Sequence, residues 1–344
     1  MAKIPALITK RLTADPSAHV FQGKLFLYVS HDYDAGIPLN LEGDHFAMKD
    51  YYVYSMEDIY GSEPVTDHGL ALSVEDVAWV SRQLWAPDAA YKGGKYYLYF
   101  PARDKENIFR IGVAVSEDPG GPFKADESYI PGTFSIDPAS FTDFDQKTYL
   151  AWGGLHGGQL QCWQNKTQFD GSWSGQKEPD DNEYALSPQI ALLSDDMHTL
   201  AEAPRDMVIL APETGQPILS SDKDRRYFEG PWIHRRGDIY YLSYSTGTTR
   251  YYVYATADNP YGPYTYQGRL LEPVSGWTTH GSIVDYKGQW WLFYHDSEAN
   301  NGVDWLRQSK AKKIWYDSQG KIVFEDPSET NHVCACEGLE TTSS

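Results

Sequence analysis

Asp15-Pro16-Ser17-Ala18-His19-Val20-Phe21-Gln22-Gly23, followed at once by Phe26-Leu27-Tyr28, is a phrase this chain writes several times. It begins on an acidic or polar residue, runs through small and β-branched positions, turns, and closes on an aromatic-Leu pair. The copies are Asp137-Pro-Ala-Ser-Phe141 with a turn at Asp145-Gln146 and Tyr149-Leu150, Glu229-Gly-Pro-Trp-Ile233 with Gly237 and Tyr241-Leu242, and His280-Gly-Ser-Ile-Val284 with Gly288 and Trp291-Leu292. In all four the turn falls 8 residues after the lead residue. A shorter copy runs from Trp85-Ala-Pro-Asp88 through Gly93-Gly94 to Tyr97-Leu98-Tyr99. Alternating aromatic, β-branched and polar residues around a glycine turn specify a β-hairpin.

Further strands follow some copies. Val113-Ala-Val-Ser-Glu-Asp-Pro-Gly-Gly-Pro-Phe123 and Val253-Tyr-Ala-Thr-Ala-Asp-Asn-Pro-Tyr-Gly-Pro-Tyr264 each read as a strand closed by a tight Pro/Gly turn. About four strands per unit result, with insertions over 31–50 and 165–187 lengthening the larger units, and no stretch has convincing helical periodicity with caps. Repeats of this size predict an all-β, five-bladed β-propeller over residues 1–325, with a polar tail over 326–344. A two-sheet sandwich would leave five equivalent lead residues unexplained. In a closed ring the innermost strand of each blade starts at the axis. Asp15, Asp88, Asp137, Glu229 and His280 are therefore expected to converge on a central active-site cavity. Gathering so many like charges for stability alone would be costly, which marks the cluster as functional.

Composition limits the partners. The net charge of −19 repels nucleic acid and anionic lipid, so neither is expected as a partner. The 11 Trp and 26 Tyr suit sheet cores and also supply flat faces for sugars. Three cysteines, Cys162, Cys334 and Cys336, make no disulfide framework. With no apolar leader at the first residues and no run of membrane-spanning length, the expectation is a soluble cytoplasmic protein, or a secreted one if a leader has been removed; the sequon Asn165-Lys166-Thr167 matters only in the second case. Phosphate-loop, Gly-x-Ser-x-Gly and paired Cys-x-x-Cys patterns are absent. His332-Val-Cys334-Ala-Cys336 resembles a soft-metal tract but offers too few ligands to build on.

The lead phrases resemble glycoside hydrolase family 43. The resemblance rests on Ala14-Asp15-Pro16-Ser17, Trp85-Ala-Pro-Asp88, Ile136-Asp137-Pro138, Phe228-Glu229-Gly-Pro-Trp232 and Thr279-His280-Gly-Ser-Ile-Val284 in that order, and covers the chain to roughly Lys321. It implies that Asp15 is the general base, Glu229 the general acid, and Asp137 the residue that tunes and orients the acid. Inversion needs the acid and base about 6.5–9.5 Å apart, leaving room for the attacking water. The acid must hold its proton near neutral pH, and a neighbouring carboxylate raises its pKa to that end.

The resemblance also implies that His280 stands beside an axial calcium ion or other divalent cation, although imidazole is a poor calcium ligand and a purely hydrogen-bonding His280 is the alternative. Trp85 and Phe228 are expected as walls of the sugar pocket, or as plain packing. Arg307, in Trp305-Leu-Arg-Gln-Ser309, is expected to grip sugar hydroxyls, with a surface ion pair as the alternative. Asp88 either faces the channel or caps the turn beneath Trp85-Ala-Pro. The phrases Trp277-Thr-Thr-His280 and Tyr294-His-Asp-Ser297 look most like the β-xylosidase branch, many of whose members also release α-L-arabinofuranose. The expected substrates are xylo- or arabino-oligosaccharides, attacked from the non-reducing end. An endo-α-1,5-arabinanase is the nearest alternative, and a non-catalytic glycan- or protein-binding propeller is the alternative of another class.

Overall fold

The computed structural model describes residues 4–330. Five antiparallel sheets surround one axis, and their innermost strands are Leu12–Phe21, Asp88–Lys92, Ala139–Thr142, Glu229–Arg236 and Gly281–Tyr286. These strands neighbour one another in cyclic order, the last returning to the first. The ring closes through side chains as well as backbone. Ser282 Oγ accepts from the Ala18 amide at 3.0 Å and donates to the Pro16 carbonyl at 2.7 Å, and the amides of Leu7 and Thr13 donate to Ser309 and Arg307 carbonyls. The predicted hairpin turns all form. Gln22-Gly23, Gly93-Gly94 and Lys287-Gly288 place both turn residues at positive φ, the twist-matched two-residue loop that joins antiparallel strands.

The core consists of the seams between blades. One apolar cluster fills the first-to-second seam, with Phe26, Tyr28, Leu98 and Phe100, and others fill the remaining seams in turn. Each fully buried leucine there contributes about 2 kcal/mol by leaving water. The many tyrosines serve these seams because a ring can be buried while its hydroxyl reaches a carbonyl. Tyr28 donates to Pro119 at 2.7 Å, Tyr99 to Met197 at 3.0 Å and Tyr252 to Gly281 at 2.8 Å.

Three departures from the sequence expectation have physical causes. The second blade's inner strand is split: Val80–Leu84 and Asp88–Lys92 both pair with Lys95–Asp104, and Trp85-Ala86-Pro87 interrupts the ladder because Pro87 has no amide to donate. Ile209–Leu210 adds a parallel strand to the outer edge of the fourth blade. Short 3₁₀ turns occupy the loops, and one helical turn, Pro327–Thr330, follows the last strand, Ile322–Val323. His332, Cys334 and Cys336 lie outside the described residues. Among the described residues no helix is long and apolar enough to cross a membrane.

Candidate active site

The two long loops that contain the insertions run to the same mouth of the ring, although 165–187 itself supplies only Gln176 to it. Residues 33–49 supply Leu39, Asn40, Phe46 and Met48 to one wall of a cavity of about 230 Å³, and residues 153–188 supply Leu155, His156, Gly157 and Gly158 to another. Asp15, Asp137, Glu229, His280, Trp85, Phe228 and Arg307 all line it. Seven residues read from the sequence as site candidates, spread over 293 positions, thus meet in one place.

The backbone at the carboxylates explains how they reach the cavity. Asp15 and Asp137 hold φ of 51° and 58°, and Gly230, beside Glu229, holds 66°. Each of the three precedes a proline, and the strand registers break across Ala14/Ser17 and Glu229/Trp232. A bulge of this kind turns a side chain out of the sheet and toward the axis. The left-handed conformation costs a non-glycine residue about 1–2 kcal/mol, a strain that both aspartates carry.

Asp88 is the lead residue that does not join the group. It lies below the cavity, buried, where its carboxylate accepts from Ser17 Oγ, from the Ser140 amide, and from Ser140 Oγ at 2.7 Å, and pairs with His19 Nε2 at 2.6 Å. It ties the first and third blades to the second. The reading of five equivalent lead residues is corrected accordingly: Asp88 stands only 5 residues before its turn at Gly93, after the inner strand is interrupted at Trp85-Ala86-Pro87, and three of the lead carboxylates remain in the cavity.

Their surroundings drive the three apart in charge. Burial works against ionisation of Asp15, but the adjoining guanidinium of Arg307 foremost, with the Ser30 hydroxyl, favours the charge, and its pKa falls below the ordinary value. Arg307 Nη1 donates to Asp15 Oδ1 at 3.0 Å and Ser30 Oγ donates to Oδ2 at 2.8 Å. Glu229 is pushed the other way, by burial first and then by the charge of Asp15. Asp137 is raised too, by burial and then by Glu229 and Asp15. Asp137 and Glu229 titrate as a pair. The Gly230 amide donates to Asp137 Oδ2 at 3.0 Å and favours the charge there, against the effect of burial.

Arg307 is not the surface residue of the alternative reading. It is 3% exposed and grips Asp32 with Nε and Nη2, both at 2.8 Å, while its amide donates to Asp32 Oδ2 at 2.9 Å. Thr278 Oγ1 accepts a second bond from Nη1, at 3.1 Å. The guanidinium is thus aimed at Asp15 by a partner that sequence reasoning missed. His295 is another. Its Nδ1 accepts from the Asp15 amide at 3.0 Å, so Nε2 carries the hydrogen and meets Thr278 at 3.1 Å. Burial takes His295 down to about 3, keeping it neutral. His295 was visible in Tyr294-His-Asp-Ser297; Asp32, at the end of a strand before a long loop, carried no motif.

His280 Nδ1 stands 4.0 Å from Asp15 Oδ1 and 3.9 Å from Asp137 Oδ2, too far for direct hydrogen bonds, and burial lowers its pKa. Among the described residues no three His, Cys, Asp or Glu side chains form a metal cage. A Cβ on Gly230 would come within 3.2 Å of the His280 ring and press on it. Trp85 anchors its indole through Nε1 to the Phe46 carbonyl at 2.8 Å, and Phe228 meets the half-buried Trp277 edge-on at 5.4 Å. Cys162, buried in the loop wall with its thiol pushed up to about 11, is no nucleophile.

Carboxyl groups held in opposite protonation states around one walled cavity are the equipment of a glycoside hydrolase. The chain belongs to glycosyl hydrolases family 43, whose profile it matches over residues 7–322. It is 59% identical to xylosidase/arabinosidase 43A of Humicola insolens, across 93% of this chain and 99% of that protein, and 50% identical to a xylosidase/arabinosidase of Bacteroides ovatus, across 90% and 94%. Among solved structures, a family 43 β-xylosidase/α-arabinofuranosidase from a compost microbial metagenome, bound to xylotriose in a calcium-free form, superposes with a TM-score of 0.91 at 53% identity, covering 94% of this chain and 97% of that one.

Proposed function

We propose that this enzyme is an inverting, exo-acting β-xylosidase that removes xylose from the non-reducing ends of β-1,4-xylo-oligosaccharides and also releases α-L-arabinofuranose. The observation that carries the reading is the opposed charge of Asp15 and Glu229 in one cavity. Asp15, ionised and pinned by Arg307 and Ser30, takes a proton from the attacking water. Glu229, protonated, delivers its proton to the leaving oxygen, and Asp137 keeps that proton in place by like-charge repulsion. The kinship with xylosidase/arabinosidases favours these two sugars, and the walls raised by residues 33–49 and 153–188 favour an exo pocket over an arabinanase groove.

The test is direct. The enzyme should release 4-nitrophenol from the β-D-xylopyranoside and from the α-L-arabinofuranoside, and proton NMR should detect α-xylose as the first product from the β-xyloside. β-Xylose appearing first would rule out inversion.

For His280 the fit is to a hydrated divalent cation. The neutral imidazole supplies one nitrogen, and Asp15 and Asp137 lend negative charge from beyond contact distance, which leaves water to provide the oxygen ligands calcium prefers. When bound, the ion would offset the negative charge of the carboxylate cluster. Exhaustive chelation should then lower kcat several-fold, with calcium restoring it, and His280→Ala should blunt the response. Activity untouched by chelation would leave His280 the hydrogen-bonding role.

A further inference from the structure

The wall of the cavity is fastened from behind by a carboxylate that does not line it. Glu178, on the returning half of the 153–188 loop, pairs through Oε1 with His156 Nε2 at 2.8 Å and accepts there from Arg226 Nη2 at 3.0 Å, while Oε2 accepts from Lys223 Nζ at 2.7 Å. Arg226 and His156 both meet the Phe228 ring of the wall. Arg226 is 1% exposed, sits under the Phe228 ring at 5.3 Å, and leads directly into Tyr227-Phe228-Glu229. His156 meets the same ring edge to face at 4.8 Å, and the neighbouring Leu155 amide donates to the Phe228 carbonyl at 3.0 Å.

Several features make Glu178 the tie rather than one contact among many. Among the described residues it is the sole carboxylate paired with Arg226, whose Nε already lacks a partner. His156 holds φ of 53°, a conformation a histidine keeps only where its surroundings impose it, and Glu178 is the polar partner of its ring. Burial opposes the charge of Glu178, yet the His156 and Lys223 hydrogen bonds and the charges of Arg226 and Lys223 bring its pKa down to about 2, so the tie is ionic throughout the working range.

We propose that Glu178 is a positioning residue that fixes His156 against Phe228, and thereby sets the enzyme's preference between xylopyranoside and arabinofuranoside. The inference deepens the substrate reading above and rests on it. Both sugars use the same carboxylates, so the chemistry does not separate them; the shape of the wall does. A pyranose is a rigid chair and gains most from a wall held at a fixed distance. A furanose puckers and adapts, and loses less when the wall loosens.

Glu178→Gln keeps the size of the side chain and removes its charge. It should lower kcat/KM on 4-nitrophenyl β-D-xylopyranoside about tenfold, chiefly through KM, and on the α-L-arabinofuranoside no more than about threefold, with both limbs of the pH profile unmoved. Equal losses on the two sugars, or a lower Tm with an unchanged ratio, would overturn the proposal. Glu178→Asp, charged but one methylene short, should shift the ratio the same way if the glutamine variant does not fold. Wild-type enzyme that cleaved neither glycoside would refute the substrate reading alone. The positioning role is then decided by a crystal structure of the variant, in which His156 still edge-on to Phe228 would overturn it.

Discussion

Asp15→Asn is expected to lower kcat by about 10³–10⁴-fold, on xylobiose and on 4-nitrophenyl β-D-xylopyranoside alike. Activation of water is needed whatever the leaving group, so a better leaving group should rescue nothing. A loss of 10³ corresponds to about 4 kcal/mol of transition-state stabilisation. Asparagine suits the test because it tolerates the left-handed backbone at φ 51° and keeps an acceptor for the Ser30 hydroxyl. Arg307 stays paired with Asp32, so no buried guanidinium is left bare, and Tm should move little. A variant that loses activity on xylobiose but retains it on the aryl glycoside would remove Asp15 from the role of base.

The sequence revealed the architecture because the propeller repeats itself. Turn residues at positive φ, such as Gln22-Gly23 and Lys287-Gly288, leave a local signature, and the aromatic-Leu pairs after them mark the second strand of each blade. The cavity carboxylates were legible for the same reason: Asp15 and Asp137 stand just before a proline and Glu229 two residues before one, an arrangement of near neighbours in the chain. What escaped was everything set by the packing of distant segments. Asp32 matters because Arg307 folds back onto it from 275 positions away, and His295 because its ring reaches the Asp15 amide from 280 away. Glu178 lies in an insertion whose polar composition reads only as loop. Asp88 misled in the opposite sense: its Pro-Asp setting imitates the lead phrase, but it stands 5 residues before its turn where the other leads stand 8, and its carboxylate goes to Ser17, His19 and Ser140.

Glu229→Gln should divide the substrates that Asp15→Asn treats alike. Xylobiose, whose leaving alkoxide needs a proton, should lose about 10³–10⁴-fold in kcat, whereas an aryl xyloside with a good leaving group should lose about 10²-fold or less. The pH profile supplies the second readout. The proposed mechanism requires Glu229 protonated, and its raised pKa keeps the proton on at neutral pH, so wild-type activity should fall as pH rises through that value. The same mechanism requires Asp15 ionised, and its pKa is depressed, so the acid limb should lie below the ordinary carboxyl range. The alkaline limb should vanish in Glu229→Gln acting on the aryl substrate. It should move to lower pH in Asp137→Asn, because removing the neighbouring carboxylate removes the repulsion that holds the proton on the acid. The direction of that second shift carries the test. A hydrogen-bonding role alone for Asp137 would leave the limb in place while lowering kcat, and equal losses of the Glu229 variant on both substrates would show that the proton comes from elsewhere.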